Sequence, residues 1–482
     1  MNESKGSENH TLSENITTNI FFLGSGEIFS RVIAYIGVTY LAVRLGPEGF
    51  GIISFATTIY WYFALGVAGG INFIGSQEIA RQPHKTNSII ANILIYRIII
   101  AFILLGLIGL LTNSLDKTTS IKMVIFLTGL LLIPLAFDTS WVYYGLQKSK
   151  PVALTQILNQ VLYVVGLIWL VNSPPDVKFI PLVQLFAETV TVLILIIPFI
   201  GFIKSRINLR EGLKIVQRAS FRTFSLLMKT ITLTFDMILI GFLLGEKSLG
   251  LYNAPYRICF LLMALSNAIH AVYLPIFSKE TDKSKIVQTA NNSLYLAVTI
   301  IAPISFGGIF VSGLIIEKLF GIEYSDGQNA LQLLLLSSFF IFIQGTIHNV
   351  FLTIDRLKTE LIILSVAAFI NIGLNIFIIP IYGITGAALV TALTELLIVF
   401  LSLITLAKFG YFVTFYIIWK PILASIVMIL ILFISGANQN LIMSLLIGSV
   451  SYVVILKLFR GIPDETYQFL NSFSENKNKR FS

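Results

Sequence analysis

The stretch Ile90–Leu111, IANILIYRIIIAFILLGLIGLL, carries a single charge along its whole length. A run of about 20 apolar residues is what a helix needs to cross the hydrocarbon core of a bilayer. Such runs recur from one end of the chain to the other, centred near residues 30, 63, 100, 132, 162, 190, 232, 264, 300, 341, 369, 396, 426 and 449. Backbone in lipid must satisfy its own N–H and C=O groups, so these runs dictate helices and exclude an open sheet. The expected fold is an all-α polytopic membrane protein with about 14 transmembrane helices. Composition agrees, since 56% of the 482 residues are apolar and 12% charged, about half the charged share of a soluble domain. The connections, such as RQPHK, LQKSKP and GIEYSDGQ, are short and polar, which leaves no room for a sizeable soluble core.

Net charge is +9, and in a membrane protein it is read first as topology. If residues 1–15 form a cytoplasmic tail, 22 Lys and Arg fall on the cytoplasmic side. Only five, Arg44, Lys117, Lys178, Lys247 and Lys318, fall outside. The positive-inside rule then predicts a multi-pass protein of the cytoplasmic (inner) membrane with both termini inside. The N-terminal MNESKGSENHTLSENITTN lacks the order of a cleaved signal peptide. The one cysteine, Cys259, allows no disulfide within the chain. Four histidines without ligand spacing argue against a metal site, and no cofactor or nucleic-acid partner is expected.

The turn between the first two spans, LGPEGFG, returns as LGEKSLG between the seventh and eighth. Leu45, Gly46 and Gly51 match Leu244, Gly245 and Gly250 at one offset of 199 residues. Glu188 and Glu395 fall nearly in step with them, at an offset of 207. The first twelve spans therefore read as two copies of a six-helix unit. An even number of spans per copy makes the repeat parallel. The expected organisation is a tail at 1–15, an N-lobe at 16–203, a basic linker at 204–222, a C-lobe at 223–407, a helix pair at 408–460 and a tail at 461–482. Two parallel lobes suit an alternating-access transporter.

A charge at mid-bilayer costs roughly 2.5–3.5 kcal/mol on insertion scales, so such residues usually face protein or a wet cavity. The basic candidates are Arg31, Arg97, Lys229 and Arg257, and the acidic ones Glu27, Asp138, Glu188, Asp236 and Glu395. Glu27 and Arg31 share a helical face, as do Lys229 and Asp236, so structural ion pairs are one reading. The other is a cationic cavity, best supported by Arg31 and Arg97, for an anionic head on a lipid tail. Arginine suits phosphate because its planar fork donates two hydrogen bonds and stays ionised. Asp138, Asp236 and Glu188 are candidates for ion coupling.

The stretch RLGPEGFGIISFATTIYWYFALGVAGGINFIGSQEIAR, Arg44–Arg81, resembles the second-helix signature of bacterial polysaccharide transporters, the Wzx-type oligosaccharide flippases. TFDMILIGFLLGEKSLGLYNAPYR, Thr234–Arg257, is similar to the same family. The likeness covers roughly residues 15 to 407. It implies the multidrug/oligosaccharidyl-lipid/polysaccharide exporter fold. It also implies transfer of an undecaprenyl-pyrophosphate-linked oligosaccharide to the outer leaflet for surface polysaccharide such as O-antigen or capsule. Implied partners are that lipid-linked oligosaccharide, membrane lipids, a polysaccharide polymerase and a chain-length regulator. By helix rather than by motif, Arg31 and Arg257 fall where related lipid flippases carry cavity arginines. Many O-unit flippases have twelve spans; fourteen is closer to the lipid II flippase pattern. The alternative within the superfold is a cation-coupled drug antiporter, which the acids keep open. A membrane-embedded glycosyltransferase, polymerase or ligase would need long outer loops with paired carboxylates, so no enzyme is expected.

Overall fold

The structure, a computed structural model, describes residues 2–436 and 439–461, with side chains from residue 29 onward except at 415 and 417. The Glu27 side chain and residues 462–482 lie outside it. The described residues are helical with no strand. Two of the apolar helical stretches are too long for one crossing. Phe29–Arg81 and Leu357–Lys408 have 53 and 52 residues, each about 80 Å at helical rise, against a core of about 30 Å. Each is interrupted at a glycine with positive φ, Gly46 (φ 63°) and Gly383 (φ 60°).

Dividing at those glycines yields the expected fourteen spans. They are α1 (2–45), α2 (47–81), α3 (Thr86–Ser114), α4 (Thr119–Gly145), α5 (Ser149–Leu170), α6 (Phe179–Ile196) and α7 (Leu209–Leu243). After them come α8 (Gly245–Phe277), α9 (Lys283–Phe310), α10 (Gln328–Thr353), α11 (357–382), α12 (384–408), α13 (Trp419–Ile434) and α14 (Leu441–Leu458). Polar residues start several of them: the side chain of Asn208 accepts from Glu211 N at α7, and that of Asp282 from Ser284 N at α9. These contacts satisfy helix N–H groups that have no partner within the helix. Many large apolar side chains stay exposed, among them Trp169, Phe369 and Phe377, as expected where acyl chains replace water.

The chain divides into two compact units. One joins 1–254 with 364–384, and the other joins 255–363 with 385–482. Within the first unit α7 packs along α2. Gly70 N donates to Thr223 Oγ1 (2.9 Å) and Tyr62 Oη to Thr230 O (3.4 Å). A Cβ on Gly70 would lie 2.3 Å from Ala219 O, so only glycine lets the two backbones come this close. At the 71–79 end of α2, Ile71, Ile79, Ile90, Trp141 and Ala219 form a buried cluster. In the second unit α13 and α14 share a core of Ala424, Met428, Leu432 and Tyr452, and Tyr452 Oη donates to Thr299 O on α9 (2.8 Å).

Candidate functional site

The two copies of the turn touch each other. Gly46 and Gly245, one offset apart, both have positive φ (63° and 82°). Proline follows the first, already holding the φ that opens a helix. A Cβ on Gly51 would lie 1.8 Å from Glu246 O and 3.0 Å from Gly250 N. A Cβ on Gly250 would lie 1.8 Å from Pro47 O and 3.1 Å from Gly51 N. Pro47 and Glu246 are themselves one offset apart, so the contact is reciprocal. Each turn packs its glycine on the other's carbonyl, as two equivalent surfaces do across a twofold axis. Lys117, in the α3–α4 loop, braces the pair: its Nζ lies 2.9 Å from Glu246 Oε1 and donates to Gly241 O (2.9 Å). The same ammonium sits 5.8 Å from the Phe55 ring centroid.

A second polar centre lies where α4 breaks. The helix gives way at 130–131 and again at Asp138, whose ψ is 125°. Asp138 starts the next helical piece, its carboxylate accepting from Ser140 N (3.0 Å) and Ser140 Oγ (2.7 Å). Arg97 on α3 is fully buried and donates to the carbonyls of Asp138 (2.9 Å) and Leu135. Trp141 Nε1 donates to the same Asp138 carbonyl (3.0 Å). Tyr60 is an electrostatic neighbour of Arg97, Asp138 and Glu188, and Glu188 hydrogen-bonds Gln184. The break therefore brings Arg97 and Asp138 together with Glu188 as an electrostatic neighbour; Arg97 is buried, and Asp138 and Glu188 are half-buried.

The other candidates stand apart from it. Asp236 is buried on α7 and accepts from Tyr252 Oη and Met237 N. Arg31 on α1 and Arg257 on α8 are half-buried. Lys229 on α7 is exposed; its carbonyl accepts from Thr232 Oγ1 (2.8 Å), and its ammonium has no hydrogen bond or ion pair among the described residues. In the second unit Glu395 is buried and accepts from Gln344 Nε2. His270 bonds Phe342 O (2.9 Å) as a core residue, and His348 meets Glu360 (2.9 Å). No group of three or more His, Cys, Asp and Glu poised to hold a metal occurs among the described residues.

Sequence reasoning missed Lys117, Tyr60, Tyr252 and Gln344. Lys117 was legible in outline, since it is one of few basic residues on the sparse side and Glu246 sits in the repeated turn. Tyrosine and glutamine partners carry no pattern that separates them from the other polar residues of the spans.

Fold and site together define a polytopic all-α membrane protein. The chain superposes on lipid II flippase MurJ in an inward closed conformation with a TM-score of 0.75, covering 91% of this chain and 98% of that one at 18% identity. An inward-facing multidrug resistance MATE family transporter gives 0.65, covering 79% and 95% at 16% identity. The chain belongs to the polysaccharide biosynthesis protein family, whose model matches residues 16–281. One relative is a "Putative O-antigen transporter" of Escherichia coli (strain K12), 25% identical over 54% of this chain and 64% of that protein. Another is the "Probable low-salt glycan biosynthesis flippase Agl15" of Haloferax volcanii, 22% identical over 92% of this chain and 96% of that protein.

Proposed function

We propose that this protein is a flippase that moves a lipid-linked oligosaccharide from the cytoplasmic to the outer leaflet for surface polysaccharide assembly. Family membership and the relatives named for O-antigen transport and glycan flipping support the substrate. The observation that carries the mechanism is the reciprocal packing of the two turns. Two related surfaces that meet through glycine backbone, carbonyls and a lysine brace can part without unravelling a helix. In this proposal they form the outer gate of an alternating-access cycle. The reading makes the protein a multi-pass transporter of the cytoplasmic membrane rather than an enzyme, with both termini cytoplasmic. A polymerase and a chain-length regulator would act on the delivered units.

Undecaprenyl pyrophosphate is the carrier in this reading, and a cationic cavity its route. Arg31, Arg257 and Lys229 bind the anionic head. Arg97 serves them by holding the α4 break, since its fork is already occupied by two carbonyls. Asp138, Asp236 and Glu188 are the acids that couple transport to an ion. The test is reconstitution in liposomes with a fluorescent undecaprenyl-pyrophosphate oligosaccharide, following its exposure to an impermeant quencher. Transfer faster than in protein-free liposomes is expected; an unchanged rate would overturn the reading. The second reading, a cation-coupled drug antiporter, draws on the buried acids Asp236 and Glu395. It requires uptake of an organic cation against a proton or sodium gradient and no transfer of the lipid.

A further inference from the structure

Lys229 poses a question the proposed transport cycle leaves open. It is exposed and makes no ion pair among the described residues, yet it lies inside a helix long enough to span the membrane. A cation there is stable only against water or an anion. Below it on α7 come Arg222, Arg218 and Lys214. At 100° per residue these four fall within an arc of about 80°. They climb about 22 Å, the depth of one leaflet with its head groups. No acid occurs on α7 between Glu211 and Asp236. Glu211, at the foot of the same face, is engaged by Asn92 Nδ2 (3.5 Å). Asp236, two turns above Lys229, is buried against Tyr252. Buried residues flank this arc, Ile215, Ala219 and Gly212 on one side and Met228 on the other.

The neighbours on α2 hold the rungs without neutralising them all. Arg218 Nη1 lies 2.7 Å from Glu78 Oε1, and the Arg222 guanidinium stacks 5.3 Å from the Phe73 ring centroid. At the lower end a recess of about 360 Å³ is lined by Lys214, Gln217 and Arg218. Four cations are thus met by one described carboxylate. Inner-leaflet topology explains Lys214 and Arg218, but not a lysine seven residues above Arg222 in the apolar part of the span.

We propose that this face of α7 is a ramp for a diphosphate head group, which it draws from the inner leaflet surface at Lys214 up to Lys229. The inference rests on the flippase reading and adds an entry path to it. A diphosphate carries two or more negative charges and can bridge successive rungs, which a phosphodiester with one charge does poorly. Arginine supplies the bidentate contact at the lipid interface, and lysine a point charge at the top. The buried acid Asp236 bounds the ramp above, where an anion would be repelled.

The test uses the full chain in nanodiscs of phosphatidylethanolamine, titrated with undecaprenyl diphosphate and, separately, with phosphatidylglycerol. Lys229→Gln and Arg222→Gln are each expected to weaken diphosphate binding about tenfold, and Lys229→Arg by no more than about threefold. Lys229→Cys should lose affinity and regain it when an aminoethyl methanethiosulfonate restores the charge; Cys259 is buried and stays silent. That rescue separates a lost contact from a damaged fold. Unchanged diphosphate affinity in the Lys229→Gln, Arg222→Gln double variant would overturn the ramp. Equal losses for diphosphate and phosphatidylglycerol would overturn it too, leaving a phospholipid contact. The flippase reading fails separately, if the wild-type protein moves no oligosaccharide lipid in liposomes whatever the titration shows.

Discussion

Arg97 is a guanidinium with no exposed surface, and its place is set by what a helix break needs. Where α4 gives way at Asp138, helix carbonyls lose their intrahelical donors. Asp138 O also accepts from Trp141 Nε1 and Leu135 O from Asp138 N, so Arg97 adds two charge-assisted bonds, each contributing about 1.5–3 kcal/mol. Arg97 supplies two donors in one rigid fork, to Asp138 O and Leu135 O. Arg97→Ala is therefore expected to destabilise the folded protein by about 2–4 kcal/mol, read as a lower melting temperature of the purified protein. Lysine can reach one carbonyl but not both, so Arg97→Lys should recover only part of the loss. An arginine that touched substrate alone would leave melting unchanged when removed. The residue type and depth of Arg97 were plain in the sequence. Its partners were not, because they are backbone carbonyls of a break that no motif marks.

Between elements, the decisive contact is turn against turn. With an oxygen 1.8 Å from the site of the added Cβ, Gly51→Ala and Gly250→Ala cannot keep the present packing, and the turns must separate. Both variants are expected to raise the reactivity of a cysteine placed at Ser54, which is buried beside the contact, toward an impermeant thiol reagent. Gly245→Ala is the control. It strains a positive φ, at about 1–2 kcal/mol, but the added methyl meets nothing within 4 Å, so Ser54→Cys should stay protected. Reactivity that rises equally in all three would assign these glycines to turn geometry rather than to the gate. Lys117→Ala removes the brace on Glu246 and Gly241. It should move Ser54→Cys in the same direction by a smaller amount, since a partly exposed ion pair contributes about 1 kcal/mol or less.

For the whole molecule, parity of spans converts charge counting into a measurement. Asn208 precedes α7 and Asp326 precedes α10, both exposed, with three spans between them. Cysteines at these two positions must face opposite sides of the membrane. In intact cells only Asp326→Cys is expected to react with an impermeant maleimide, and Asn208→Cys only after permeabilisation. Reaction of Asn208→Cys from outside would invert the orientation, and reaction of both would break the span count.

Fourteen crossings were legible before any coordinates, because a span of about 20 apolar residues is a local property set by the cost of bare backbone in lipid. The position of the turns was legible for the same reason: glycine at positive φ and proline at a helix start are local requirements. That LGPEGFG was written twice could be read from the sequence; that the two copies pack on each other could not. Reciprocal contact between residues about 200 positions apart depends on how α2 lies along α7. That is settled by close packing at Gly70 and Thr223, not by periodicity. The buried acids and bases follow the same division. Their presence in the spans is a matter of composition. Whether Asp138 meets Arg97, or Asp236 meets Tyr252, is decided by which helices pack together, since a buried charge is stabilised only by the groups that the tertiary fold brings within a few ångströms of it.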